Sequence, residues 1–110
     1  MEESYELTPQ EASRLVHSNE AVVIDVREPE EYAIAHIDGA RLIPMQSVPA
    51  ELQKLDELAD ECTLLVLCHH GVRSLQVAAW LRERGIEKAY SVAGGIDRWS
   101  REIDPSVPRY

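Results

Sequence analysis

Two short runs constrain the fold more than anything else in this sequence: Ala21-Val22-Val23-Ile24-Asp25-Val26 and Thr63-Leu64-Leu65-Val66-Leu67. Neither alternates apolar with polar residues, so neither suits a strand with one wet face. Continuous β-branched and aliphatic runs of this length belong to strands covered on both sides, the environment of a parallel sheet between helices. Parallel neighbours need crossover connections, and the segments between the runs supply them.

Thr8-Pro9-Gln10-Glu11 starts a helix: Thr8 caps, Pro9 suits the first helical position and Glu11 closes a capping box. Leu15 and Val16 give it an apolar face to about His17, and Tyr5 to Leu7 reads as a short edge strand. Pro29 to Ala33 reads as a short helix, Arg41-Leu42-Ile43 as a strand and Pro49 to Leu58 as a helix. Ser74 to Arg84 reads as a well-buried helix with Gly85 past its end. Ala89 to Val92 is a last strand, followed by Gly94-Gly95 and a short helix through Trp99. Strands alternating with helices predict an α/β domain: a mostly parallel sheet of about five short strands with helices on both faces. Residues 1–110 read as one domain, with 103–110 an extended tail carrying Pro105 and Pro108.

At 110 residues and 45 % apolar, the chain has enough material for a core without disulfides or metals. It has no Phe, so that core is aliphatic. The formal charge of -9 argues against nucleic acid and anionic membrane as partners, both being polyanions. No apolar run is long enough for a membrane span. Met1-Glu2-Glu3 is unlike the basic start of a secretory signal, and Cys62 and Cys68 have no disulfide or zinc spacing. A cytoplasmic protein with reduced thiols is expected.

In open parallel sheets ligands bind outside the carboxyl ends of the strands, and Cys68 stands at such an end. The segment Cys68-His69-His70-Gly71-Val72-Arg73-Ser74 follows. Inward-facing loop amides, the N-terminus of the next helix and the charge of Arg73 all favour a Cys68 thiolate. Gly71 permits the tight loop. His69 and His70 line the mouth, since side chains point out of a loop whose amides point in. Adjacent residues do not converge on one ion, so no metal site is expected at Cys68, His69 and His70. Cys62, beside Asp60 and Glu61, reads as inert.

The loop resembles the active-site loop of the rhodanese family, and the resemblance extends along the chain. Val23-Ile24-Asp25-Val26-Arg27-Glu28 with Glu31-Tyr32, Ala35-His36-Ile37-Asp38-Gly39-Ala40 with Ile43-Pro44, and Gly94 to Trp99 are similar to the family's other segments, in order. The resemblance implies a sulfurtransferase with Cys68 and Arg73 as catalytic residues. His69, His70, Gly71, Val72 and Ser74 would form the cradle of a persulfide, with Asp25 and Arg27 in support. Asp25 is expected to hydrogen-bond loop backbone or a nearby arginine. Arg27 is expected to pair with Glu28, Glu30 or Glu31 at the surface, or to guide an anionic donor. His36 is expected to make a local hydrogen bond near Gly39, and Trp99 to lie in the core.

Four residues separate Cys68 from Arg73. The related phosphatases carry one more, so a cradle for a single sulfur atom is favoured over one for an oxyanion. The implied exchange takes sulfane sulfur from thiosulfate or a persulfide-carrying protein and passes it to cyanide, a thiol or a sulfur-carrier protein, without cofactor. Two alternatives stand beside it: a noncatalytic binding module of the same family, and a dedicated relay in cofactor or tRNA thiolation. The tail Asp104 to Tyr110 is similar to that of rhodanese domains joined to adenylating enzymes.

Overall fold

Every strand among the described residues runs parallel to its neighbours in a single sheet. The structure is a computed structural model and describes residues 5–110; the acidic start Met1-Glu2-Glu3 lies outside them. In chain order the elements are β1 (Glu6–Leu7), α1 (Pro9–His17), β2 (Ala21–Asp25), α2 (Pro29–Ile34) and β3 (Arg41–Leu42). Two 3-10 turns (Met45–Ser47 and Pro49–Glu51) lead into α3 (Leu52–Ala59). β4 (Thr63–Leu67), α4 (Val72–Glu83), β5 (Ala89–Val92) and α5 (Gly95–Glu102) complete the domain. The strands lie in the order β1-β5-β4-β2-β3, the five-stranded α/β sheet expected.

The two apolar runs are the centre of the sheet. β2 and β4 pair in register from Ala21↔Thr63 to Asp25↔Leu67. Side chains alternate between faces along each strand, and each face has its own core. Ile24, Val26, Leu64, Val66 and Cys68 pack with Leu55 of α3 and Val77, Ala78 and Leu81 of α4. Val23, Leu65, Leu67 and Val92 pack with Ala12 of α1 and Ile96 and Trp99 of α5. Full burial of such aliphatic side chains contributes roughly 1.5–3 kcal/mol each.

Local signals place the helices. Thr8 Oγ1 accepts the Glu11 N–H at 3.1 Å, while Glu11 Oε1 accepts the Thr8 N–H at 2.9 Å. That reciprocal pair is the capping box expected. The helix expected from Pro49 is a tight 3-10 turn at first and becomes α-helical only at Leu52. α4 starts at Val72, two residues before Ser74, because Gly71 at φ +101° turns the chain early. It is also less covered than expected, burying Ser74, Val77, Ala78 and Leu81 while Val72 and Leu75 remain exposed.

The tail turns around residues 105–107. Ser100 Oγ donates to the Val107 carbonyl, Asp104 Oδ1 accepts from the Ser106 N–H, and Val107 is buried in the α1/α5 core. The turn returns the chain toward the carboxyl ends of the strands. No helix among the described residues is long and apolar enough to cross a membrane.

Candidate active site

Cys68 follows the last residue of β4 and is 1 % exposed. Its sulfur is surrounded by donors. The Gly71 N–H points to Sγ at 3.1 Å and the Ser74 N–H, in the first turn of α4, at 3.3 Å. Ser74 Oγ lies 3.3 Å from Sγ. The thiol donates in that contact; in the thiolate the hydroxyl turns and donates instead. Ser74 Oγ is itself 2.7 Å from Ser91 Oγ on β5, so a buried hydroxyl pair backs the sulfur.

The loop is held in this shape from behind. The Ile96 N–H donates to the Cys68 carbonyl at 2.8 Å and the Asp97 N–H to the His69 carbonyl at 3.2 Å. With its carbonyls fixed toward the N-terminus of α5, the loop turns amides toward Sγ, the arrangement of an anion-binding nest. Glycine makes the approach possible: a Cβ on Gly95 would lie 2.4 Å from both the Cys68 and His69 carbonyl oxygens. A Cβ on Gly71 would meet the Gly94 nitrogen at 3.1 Å. Gly94 and Gly95, both at positive φ, thus bring the start of α5 against the loop backbone.

Arg73 does not bond to the sulfur. Its guanidinium grips Glu31 of α2 in a two-pronged pair, Nη1–Oε1 at 2.8 Å and Nη2–Oε2 at 2.9 Å. The pair raises the Arg73 pKa and, against some desolvation, lowers that of Glu31 to about 2. Glu31 Oε1 also accepts the Glu28 N–H, so one carboxylate caps α2 and clasps the Cys68 loop through Arg73.

Arg27 is the main correction. Neither a surface ion pair nor a donor guide, it is fully buried against Asp25, with Nη2–Oδ2 at 2.6 Å and Nε–Oδ1 at 2.9 Å. Nη2 also donates to the Ala35 carbonyl at 2.7 Å and Nη1 to the Tyr110 hydroxyl at 2.7 Å. Burial works against its charge, but the bonds to Asp25 and Tyr110 outweigh that and raise its pKa. Asp25 terminates a strand buried on both faces, so its carboxylate needs an internal cation. It bonds the nearby arginine, as expected of it.

Val72 projects into solvent and brings no side chain to the cradle. His70 is exposed. His69 is half-buried and stacked between His70 (centroids 3.9 Å apart) and Tyr110 (3.9 Å, planes 7° apart). Burial, and then the charge of His70, lower the His69 pKa. His36 makes its local bond to the Tyr32 carbonyl rather than at Gly39, and Trp99 is in the core. Cys62 is half-buried with its pKa raised, chiefly by burial.

Four participants were not singled out from the sequence: Glu31 as clasp, Ser91 behind the sulfur, the α5 amides and Tyr110. Ser91 had a signal, a lone hydroxyl in a buried strand. The others depend on contacts between distant segments.

The sequence matches the Rhodanese-like domain over residues 8–102. It is 36 % identical over 99 residues to thiosulfate sulfurtransferase GlpE of Ectopseudomonas mendocina, covering 90 % of this chain and 87 % of that protein. It is 40 % identical over 96 residues to the Rhodanese-like/PpiC domain-containing protein 12 of Arabidopsis thaliana, covering 86 % of this chain but only 32 % of that longer protein. It is 34 % identical over 105 residues to the probable adenylyltransferase/sulfurtransferase MoeZ of Mycobacterium tuberculosis, covering 94 % of this chain and 26 % of that protein. Among solved structures, the human single-domain sulfurtransferase TSTD1 superposes with a TM-score of 0.79 at 27 % identity, over 91 % of this chain and 98 % of that one.

Proposed function

This chain belongs to the rhodanese-like domain family, and on that premise we propose that Cys68 carries sulfur between a donor and an acceptor as a persulfide. The observation that carries the reading is the convergence of the Gly71 and Ser74 N–H groups on Sγ. Donors aimed at a sulfur buried at a strand end serve an anion, and both a thiolate and a terminal persulfide are anions.

The Cys68 thiolate attacks the sulfane sulfur of thiosulfate. The donor S–S bond breaks and sulfite leaves with the bonding pair, so Cys68 becomes a persulfide. An acceptor nucleophile, cyanide or a thiol, then attacks the outer sulfur and the Cys68 thiolate is restored. The loop amides and the Ser74 hydroxyl hold the charge at each stage; the Glu31–Arg73 clasp keeps the loop in shape. The exchange moves no net electrons to an outside carrier, and donor and acceptor follow ping-pong kinetics.

A second reading, sulfur relay from one protein to another, is favoured by the match to MoeZ. A cytoplasmic setting agrees with both readings.

Intact mass after incubation with thiosulfate tests the proposal, on the natural chain and on Cys68→Ser. A gain of one sulfur atom, removed by cyanide and absent from the variant, is the expected result. A folded, reduced chain that gains nothing from thiosulfate overturns it for that donor. Gain from a protein persulfide alone would then establish the relay.

A further inference from the structure

Because Cys68 is 1 % exposed, a donor reaches it only past the side chains that surround the loop. One of those side chains comes from the far end of the chain. The Tyr110 ring lies flat on His69, with centroids 3.9 Å apart and planes within 7°. Its hydroxyl is fixed on both sides, accepting from Arg27 Nη1 at 2.7 Å and donating to Glu31 Oε2 at 2.8 Å. Arg27 is anchored in the interior by Asp25, and the same Glu31 oxygen holds Arg73 Nη2. Tyr110 thus touches both parts of the rim, the loop through His69 and the clasp through Glu31.

The approach of the tail to this position is built. Val107 is buried in the α1/α5 core and tied by Ser100, Arg109 Nε reaches Asp97 Oδ1 at 3.3 Å, and prolines at 105 and 108 stiffen the return. A tail whose role ended with covering the core had no need of an aromatic ring on His69 or of a hydroxyl on Glu31.

We propose that Tyr110 is a specificity-determining residue, a wall that admits small molecules to Cys68 and holds bulky ones off. It does not touch the reacting sulfur. It acts by immobilising His69 across the mouth and by steadying the clasp. The meaning of the wall rests on the sulfur-transfer reading, but its existence is testable without turnover.

Alkylation of the thiol supplies that test. In a Cys62→Ser background, the only thiol left is Cys68, and the rates of its reaction with N-ethylmaleimide and N-(1-pyrenyl)maleimide are followed by intact mass. Both reagents are uncharged and differ in size. The expected result for Tyr110→Ala is a rise in the pyrenyl-to-ethyl rate ratio of several-fold to about tenfold, the span that a stacked aromatic contact corresponds to. Tyr110→Phe keeps the ring and leaves the ratio near that of the parent, and Tyr110→Trp lowers it. An unchanged ratio in the folded Tyr110→Ala chain overturns the proposal. So does an equal rise in both rates, which is what a loosened structure without a size wall produces. A chain that takes no sulfur from thiosulfate but shows the graded ratio keeps the wall and loses the donor.

Discussion

Replacing Gly95 with alanine puts a methyl group where the two loop carbonyls already are. The Cβ would stand 2.4 Å from the Cys68 and His69 oxygens, and both are backbone atoms that no rotamer change can move. Forcing a methyl into packed surroundings costs about 1–3 kcal/mol. The left-handed conformation, φ +62°, adds about 1–2 kcal/mol for a residue with a Cβ. Displacing the loop weakens the Ile96 and Asp97 hydrogen bonds to it, each worth about 0.5–1.5 kcal/mol. The total is about 3–8 kcal/mol, a large part of the roughly 5–15 kcal/mol typical of a domain. Gly85→Ala is the control, since φ there is +93° with nothing within 4 Å of the added Cβ. It carries only the conformational cost, and the entropy lost by the unfolded chain is common to both variants. Urea denaturation of the two variants beside the parent, with unchanged m-values, measures the difference. Gly95→Ala is expected to lose at least about 2 kcal/mol more than Gly85→Ala, the steric and hydrogen-bond share. Equal losses would refute the claim that close backbone contact with α5 shapes the sulfur loop.

Asp25→Ala leaves Arg27 buried and without its carboxylate, at a cost of about 3–5 kcal/mol, read from the same denaturation midpoints; a loss under about 1 kcal/mol would show that Arg27 escapes to water. Glu31 has its pKa depressed to about 2, so its contribution to stability is complete above the ordinary value of 4.5 and is lost as pH falls through about 2. The stability gap between the natural chain and Glu31→Gln is therefore expected to shrink as pH is lowered from 5 toward 2, and a constant gap across that window would remove the clasp from the explanation.

Local rules carried much of the sequence reading. Apolar runs without alternation located β2 and β4, the capping box located α1, and the loop from Cys68 to Ser74 announced the site by its composition after a buried strand. What composition could not show is where charges go. Arg27 sits among Glu28, Glu30 and Glu31 in the sequence and reads as a surface residue, yet it is the largest fully buried side chain. The strand that ends at Asp25 carries a carboxylate into the interior, and the arginine follows it. The clasp joins residues 42 apart and the Arg27–Tyr110 bond residues 83 apart. No periodicity or cap reports a contact of that range. The direction of the tail is hidden for the same reason: two prolines indicate stiffness but not direction.

The sheet order also sets a timetable. Among the described strands β1 is the first to be synthesised and lies beside β5, the last of them, and the amides that brace the Cys68 loop belong to α5, after β5. A ribosome delivers Cys68 well before it delivers Ile96 and Asp97. Parallel pairings of this range close late in folding, so the nascent chain can assemble β2 against β4 while its thiol still lacks a shaped cradle. Stalled or truncated chains ending before α5 would display the Cys68 thiol without the amides that brace its loop. The shape of the Cys68 loop is thus tied to the synthesis of α5.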